Sequence, residues 1–318
     1  LGLAALALTA TTEVNEMVDA LAQWARPLRV LGVDPDRVAL TVAPTRIISD
    51  DQIEMIHRQS LKVLEDIGMD VVYPEARDIY ARAGASIDGD RVRIGRDIVE
   101  EALKTPPSEF TFYARNPAHN LRIGGNWITF APVGGPPNCS DLDKGRRPGT
   151  LEDAGNFVKL SQFFNTVHTA GGASVDALDV HASIRHLHIT RNKMRYSDKV
   201  PFIYSTGRAR LFDGLEIIRL ARGISHEQLL REPSAYTVIN TNSPLKLDGP
   251  MAMGIIEMAR LNQICVVTPF TLAGAMAPVT LAGALVEQNA EALAGLALSQ
   301  LANPGAPFVY GGFTSNVD

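Results

Sequence analysis

Between residue 126 and the end of the chain, short β-rich runs alternate with longer helical stretches. The strand candidates are WITFA (127–131), NTVHTA (165–170), VPFIYST (200–206), YTVINT (236–241), ICVVT (264–268) and PFVYG (307–311). Leu151–Phe164, Asp176–Met194, Leu211–Leu230, Gly249–Leu261 and Leu281–Leu301 read as the helices between them. Neighbouring parallel strands need a long crossover, usually helical. Such βαβα alternation therefore confines the chain to a parallel sheet, open or closed into a barrel.

One run tests that reading. ICVVTPFTLAGAMAPVTLAGALV (264–286) carries no charge. A membrane-spanning helix needs about 20 apolar residues in one unbroken helix. Pro269 and Pro278, with Gly274 between them, divide this run into a strand (264–268), a loop (269–279) and a helix start from 280. Parallel strands are covered on both faces and read as continuous apolar segments, so the run is expected inside a globular protein, with no membrane partner. The helix that follows turns polar at Glu287, Gln288, Asn289 and Glu291. Asn289 and Glu291 interrupt an apolar helix and fit either its solvent face or a ligand-facing position.

Before the alternation, residues 46–125 read as a helical region. Ser49 and Gln52 form a capping-box pattern ahead of IEMIHRQSLKVLEDIG, which Gly68 ends. Pro74 opens PEARDIYARAG, and a third helix from Arg96 to Lys104 stops before Pro106 and Pro107. Residues 1–45 are expected to be a poorly ordered extension, and residues 126–318 a partial (β/α) barrel. LGLAALALTA at the start is apolar but short and lacks a preceding basic segment, which disfavours a secretory signal. The absent initiator Met, and a stop just after the strand-like PFVYGG, suggest that both ends are cut.

Composition bounds the function. The chain is 46% hydrophobic and 20% charged, enough apolar mass for a large core. Net charge is −5 with no long basic run, so nucleic acid is not an expected partner. Cys139 and Cys265 lie far apart and form neither a disulfide framework nor a zinc signature, which fits a reducing cytoplasm. The spacing of His181, His186 and His188 is not the i, i+4 spacing of a helical metal site, so no metal is expected.

In α/β folds the loops after the strands carry function. Three of these loops hold glycine pairs: Gly134 and Gly135, Gly171 and Gly172, Gly311 and Gly312. Each pair alone would serve a tight turn; three at corresponding strand ends point to a broad mouth that a large ligand approaches closely. None belongs to a phosphate loop. Asn240 and Ser243 sit in the loop NTNSPL, and His168 near a strand end; each is a candidate for binding a ligand, with turn formation or core packing as the plain alternative. Trp127, Phe130, Tyr204, Phe270, Tyr310 and Phe313 recur near strand ends. Singly they read as core; together they could cage an alkylated ammonium through their ring faces.

At these loops the chain resembles the trimethylamine–corrinoid methyltransferase family, whose relatives without pyrrolysine include glycine betaine methyltransferases. The resemblance lies in NTNSPL (240–245), AMAPVTLAGALVEQNAEALAGLALSQLANPGAPFVYGG (275–312), LKVLEDIGMDVVYPEARDIYARAGASID (61–88) and LKTPPSEFTFYARNP (103–117), and covers roughly residues 46–318. It implies a TIM (β/α)8-type barrel preceded by N-terminal helices, incomplete here at about six strands. It also implies methyl transfer from trimethylamine or a quaternary amine such as glycine betaine to Co(I). The corrinoid would be presented by a partner protein, with no cofactor bound permanently, and a homo-oligomer is compatible with the class. Asn240, Ser243, Tyr310, Tyr204, Phe270 and His168 would then face the donor, and the glycine pairs the corrin ring. The family's pyrrolysine falls beyond the position of Asp318. Two rival readings stand beside this one: a non-catalytic or decayed binder of betaine-like solutes, and another TIM-barrel enzyme such as a lyase or aldolase. A Schiff-base aldolase would want a lysine at a strand end, and Lys199 only precedes its strand.

Overall fold

A computed structural model describes residues 47–172 and 174–316. The expected N-terminal extension, residues 1–45, lies outside the described residues. The described residues form two compact units, one of residues 108–202 and one of residues 47–107 and 203–316.

The larger unit opens as its caps dictate. Helix α1 (Asp50–Lys62) starts at Ser49, whose side chain accepts from the Gln52 amide while Gln52 reaches back to the Ser49 amide. Gly68, at φ 77°, releases the chain after one wider turn. Strand β1 (Met69–Val71), α2 (Pro74–Arg82), the antiparallel β2 (Ser86–Asp88) and β3 (Arg91–Arg93), and α3 (Arg96–Leu103) follow. Helices α2 and α3 match the sequence reading within two residues at either end, whereas the first, expected to run to Gly68, leaves the α-helical form at Lys62 and finishes as a wider turn over Val63–Ile67.

The smaller unit holds an antiparallel pair, β4 (Glu109–Phe112) with β5 (Leu121–Gly124), and a hairpin of β6 (Asn138–Asp141) with β7 (Gly145–Pro148). Helix α4 (Leu151–Phe163), β8 (Thr169–Gly171), α5 (Arg185–Tyr196) and β9 (Val200–Pro201) complete it, with β8 parallel to β9. Two expectations are corrected here. WITFA is not a strand, because the His168 ring nitrogen, 2.9 Å away, takes the Phe130 amide that a neighbouring carbonyl would take in a ladder. The helix expected from Asp176 begins only at Arg185: the amides of Asp176 and Leu178 are committed to the Pro136 and Gly149 carbonyls at 2.9 Å each.

The larger unit resumes with α6 (Arg208–Arg222), which Gly223 ends in the left-handed conformation at φ 67°. Ser225 then caps a separate short helix, α7 (His226–Arg231), so the single stretch expected over Leu211–Leu230 is two helices. After it come β10 (Tyr236–Ile239), β11 (Lys246–Leu247), α8 (Gly249–Arg260), β12 (Ile264–Val267), β13 (Leu272–Ala273), α9 (Leu281–Ala302), β14 (Phe308–Tyr310) and β15 (Ser315–Asn316). Strands β10, β12 and β14 form one parallel sheet in that order, joined through α8 and α9. The segment after β9 runs beside β10, its Ile203 amide donating to the Tyr236 carbonyl at 2.9 Å. Strand β11 pairs in parallel with β1, which ties the loop after β10 to the N-terminal helical region.

The charge-free run is resolved as expected. It forms β12, a loop carrying β13, and the start of α9, with the Thr280 hydroxyl capping that helix. Among the described residues no helix is long and apolar enough to cross a membrane. Helix α9 is covered on most of its surface, and its small residues make this fit: a Cβ at Gly295 would lie 3.0 Å from a Val267 methyl. The buried Tyr80 hydroxyl of α2 donates to the Ala294 carbonyl at 2.7 Å, and Ser60 of α1 to the Val286 carbonyl at 2.9 Å. The three N-terminal helices thus pack against α9, with Thr105 after α3 bonded to Gln300 at 2.9 Å.

The mixed α/β class is what the structure shows. Among the described residues the parallel pairings lie in separate sheets of two, three and four strands, without a closed barrel.

Candidate functional site

Parallel register brings the C-terminal ends of β10, β12 and β14 together: Ile239 lies opposite Val267, and Val267 opposite Tyr310. The residues just beyond these ends are polar. The Thr268 hydroxyl donates to the Asn240 amide oxygen at 3.2 Å, which leaves the Asn240 NH2 to offer to a ligand. The Tyr310 hydroxyl donates to the Asn289 side-chain oxygen of α9 at 3.0 Å, and burial pushes its pKa up to about 12. Thr271 and Thr314 share a hydrogen bond of 2.6 Å, and Thr314 also donates to Gln288. The rings of Phe270 and Phe313 stack with centroids 5.0 Å apart, and Phe313 is 61% exposed.

Two carboxylates lie one helical turn apart on α9, hence on one face. Glu291 is fully buried and saturated. It accepts from the Thr241 hydroxyl, from the Ser243 hydroxyl at 2.8 Å and from the Leu245 amide at 2.6 Å. These bonds fold the NTNSPL loop around the carboxylate and hold Leu245 at φ 48°, a left-handed conformation that costs an ordinary residue about 1–2 kcal/mol. Burial raises the Glu291 pKa, and the three donors pull it back down. Glu287 is 9% exposed, and its Oε1 has no hydrogen-bond partner. Burial, then the charge of Glu291, pushes its pKa up to about 7.

The solvent-face reading of Glu291 is therefore overturned. Helix α9 has only two charged residues in its 22, and both are turned inward. The available signal was their i, i+4 spacing inside a helix otherwise free of charge.

The structure brings Asn240, Ser243, Phe270 and Tyr310 into this one unit, with Ser243 serving Glu291. Tyr204 is half-buried in the segment beside β10, next to Ser205, which hydrogen-bonds Thr237 at 2.8 Å. His168 belongs to the other unit, where its ring accepts the Phe130 amide and stacks on the Phe130 ring at 5.9 Å. Gly311 and Gly312 bring the chain onto itself: a Cβ would meet a Thr268 methyl at 2.5 Å and the Gln288 amide at 2.3 Å. Gly171, at φ 70°, lies against Pro132, and a Cβ on Gly172 would stand 3.3 Å from the Gly134 Cα. Gly135 has open space where a side chain would point. Lys199 offers no amine for a Schiff base, because its ammonium donates to the carbonyls of Ser161, Phe164 and Val167 at 2.6, 2.8 and 2.5 Å. Among the described residues no group of histidine, cysteine or carboxylate side chains is arranged to hold a metal.

The model of the family described as "Trimethylamine methyltransferase (MTTB)" matches residues 31–318. A glycine betaine methyltransferase of Desulfitobacterium hafniense strain Y51 is 37% identical over 83% of this chain and 55% of its own length. Trimethylamine methyltransferase MttB of D. hafniense strain DSM 10664 / DCB-2 is 30% identical over 85% of the chain and 55% of its own length. A proline betaine:corrinoid methyltransferase of Eubacterium limosum is 26% identical over 86% and 57%. The chain spans about half the length of these relatives. On the family match and these identities, the chain belongs to the trimethylamine methyltransferase (MTTB) family.

Proposed function

We propose that the protein transfers a methyl group from a methylated amine, trimethylamine or a betaine, to the Co(I) of a corrinoid carried by a separate protein. The observation that carries this reading is the family match over residues 31–318. The names of the relatives, glycine betaine methyltransferase and proline betaine:corrinoid methyltransferase, support the donor class and the acceptor. The helical crossovers between β10, β12 and β14 are the units from which a (β/α) barrel is made, and a barrel is part of this proposal.

Co(I) is a strong nucleophile, so the protein need not supply one. Its own residues must hold the donor in line and keep water away. Asn240 would orient the donor through its amide NH2, and Tyr310 and Phe270 would face the methyl groups with their rings. Tyr204 is a further donor-side candidate. The site has one feature that fits a flat ring poorly: the space beyond Gly311 and Gly312 is already filled by Thr268 and Gln288.

The test is methylation of cob(I)alamin by the full-length protein, followed by absorbance, with trimethylamine, glycine betaine and proline betaine as donors. At least one donor should be turned over, and Tyr310→Leu should slow transfer by roughly threefold to thirtyfold with the fold intact by circular dichroism. Binding of a donor without transfer would favour a solute binder instead. Loss of stability in proportion to loss of rate would assign Tyr310 to the core.

A further inference from the structure

Buried polar groups almost always have hydrogen-bond partners, and an exception calls for an explanation such as a bound ligand. Glu287 is such an exception. The residue is nine-tenths buried, Oε1 has no partner, and Glu291 stands one turn away on the same face of α9. Glu291 makes no bond to it: both of its oxygens accept from the loop after β10, and a carboxylate that only accepts has no proton to offer. A second carboxylate beside a saturated one repels negative charge and attracts positive charge. Its neighbours along α9 are committed elsewhere: Gln288 accepts from Thr314, and Asn289 from the Tyr310 hydroxyl. One uncompensated carboxylate shielded from water is a partner that a large, weakly hydrated ammonium ion accepts more readily than a strongly hydrated ion does.

We infer that Glu287 is a specificity-determining residue that binds the positive charge of the methylated ammonium donor. This rests on the methyl-transfer reading for the identity of the ligand, but it needs no corrinoid to be tested. The carboxylate would select quaternary or protonated amines over uncharged molecules of equal shape. Glu291 is then a positioning residue, which fixes the loop bearing Asn240 and sets the negative potential that Glu287 shares.

The experiment is calorimetric binding to the full-length protein without corrinoid. The probes are tetramethylammonium, glycine betaine and 3,3-dimethylbutanoate, the uncharged-carbon counterpart of the betaine. Tetramethylammonium and glycine betaine should bind, and 3,3-dimethylbutanoate at least about tenfold more weakly than the betaine. Glu287→Gln, which keeps the shape, should weaken tetramethylammonium about tenfold or more and should not weaken 3,3-dimethylbutanoate, an anion that loses a repelling charge. Equal affinity of the betaine and its carbon counterpart for the unaltered protein overturns the proposal whether or not the variant folds. So does a folded Glu287→Gln protein that binds tetramethylammonium as before, or an unaltered protein that binds neither cation. Selective cation binding that depends on Glu287, with no methyl transfer to cob(I)alamin, would keep this site and remove the methyltransferase reading.

Discussion

Glu291 organises a loop that sequence alone leaves slack. Its three donors come from 46 to 50 residues away in the chain, and two of them are hydroxyls that can accept as well as donate. That chemistry predicts an asymmetry between substitutions. Glu291→Ala strands the Leu245 amide, the Thr241 and Ser243 hydroxyls and a cavity, and should cost about 3–5 kcal/mol. Glu291→Gln keeps an oxygen for the Leu245 amide and turns its NH2 toward hydroxyls that reverse. It should cost about 1–2 kcal/mol. Urea unfolding of the two variants measures the difference, and equal losses would show that the hydrogen bonds do not hold the loop. In sequence, Ser243 was legible as a turn or ligand residue, whereas its bond to Glu291 was not. Nothing local distinguishes a hydroxyl that turns a loop from one that satisfies a buried carboxylate.

At the level of elements, Lys199 does for α4 what a terminal glycine does elsewhere. One ammonium takes the carbonyls of Ser161 on the helix and of Phe164 and Val167 beyond it, the Phe164 carbonyl also accepting from the Val167 amide at 3.2 Å. Burial lowers the Lys199 pKa, with the nearby Asp198 charge working against that. Lys199→Met keeps the length of the side chain and removes the donors. It should lower stability by about 2–4 kcal/mol, read as a fall in the urea midpoint with an unchanged slope. A loss below about 0.5 kcal/mol would mean that water serves the carbonyls equally well. The sequence showed this lysine only as a residue ahead of a strand. Element boundaries elsewhere were more legible where a local device fixes them, as with the Ser49 box, Pro74 and the prolines of 269–278. They were least legible at 127–131 and 176–184, where long-range hydrogen bonds compete with the ladder or the helix.

For the whole chain, two sets of carboxylates act on stability in opposite directions with pH. Glu287 holds its proton up to about pH 7 in the folded state, against 4.5 as its ordinary value, and Glu291 is also raised. A raised carboxyl contributes stability that is full below the unfolded pKa and is lost as pH rises through the folded one. Asp153, held down by Arg147 and Thr150, contributes in the other sense: its stability is present above the unfolded pKa of 3.8 and lost as pH falls below it. Thermal unfolding should therefore be highest near pH 5 and decline toward pH 8. Glu287→Gln should flatten the decline above pH 5 and leave the acid limb unchanged. An unaltered slope between pH 5 and 8 in that variant would show that Glu287 already ionises freely in the fold.

The amino-acid sequence by itself determined the elements and the class. Caps, prolines and hydrophobic period act within a few residues, so helices α1 to α3, the strands at 236–239, 264–267 and 308–310, and the buried character of the 264–286 run could be read directly. The quoted motifs pointed to the family, which the match over residues 31–318 established. Only the tertiary structure decided which way the polar residues of α9 face. A glutamate in an apolar helix is stable toward water or toward a cluster of donors, and the sequence around it is the same in both cases. What settles the choice is a loop about fifty residues upstream that supplies three hydrogen bonds to Glu291 and none to Glu287. Hydrogen-bond partners at that separation are fixed by how strands and helices pack, and packing is not written in any local stretch of the chain.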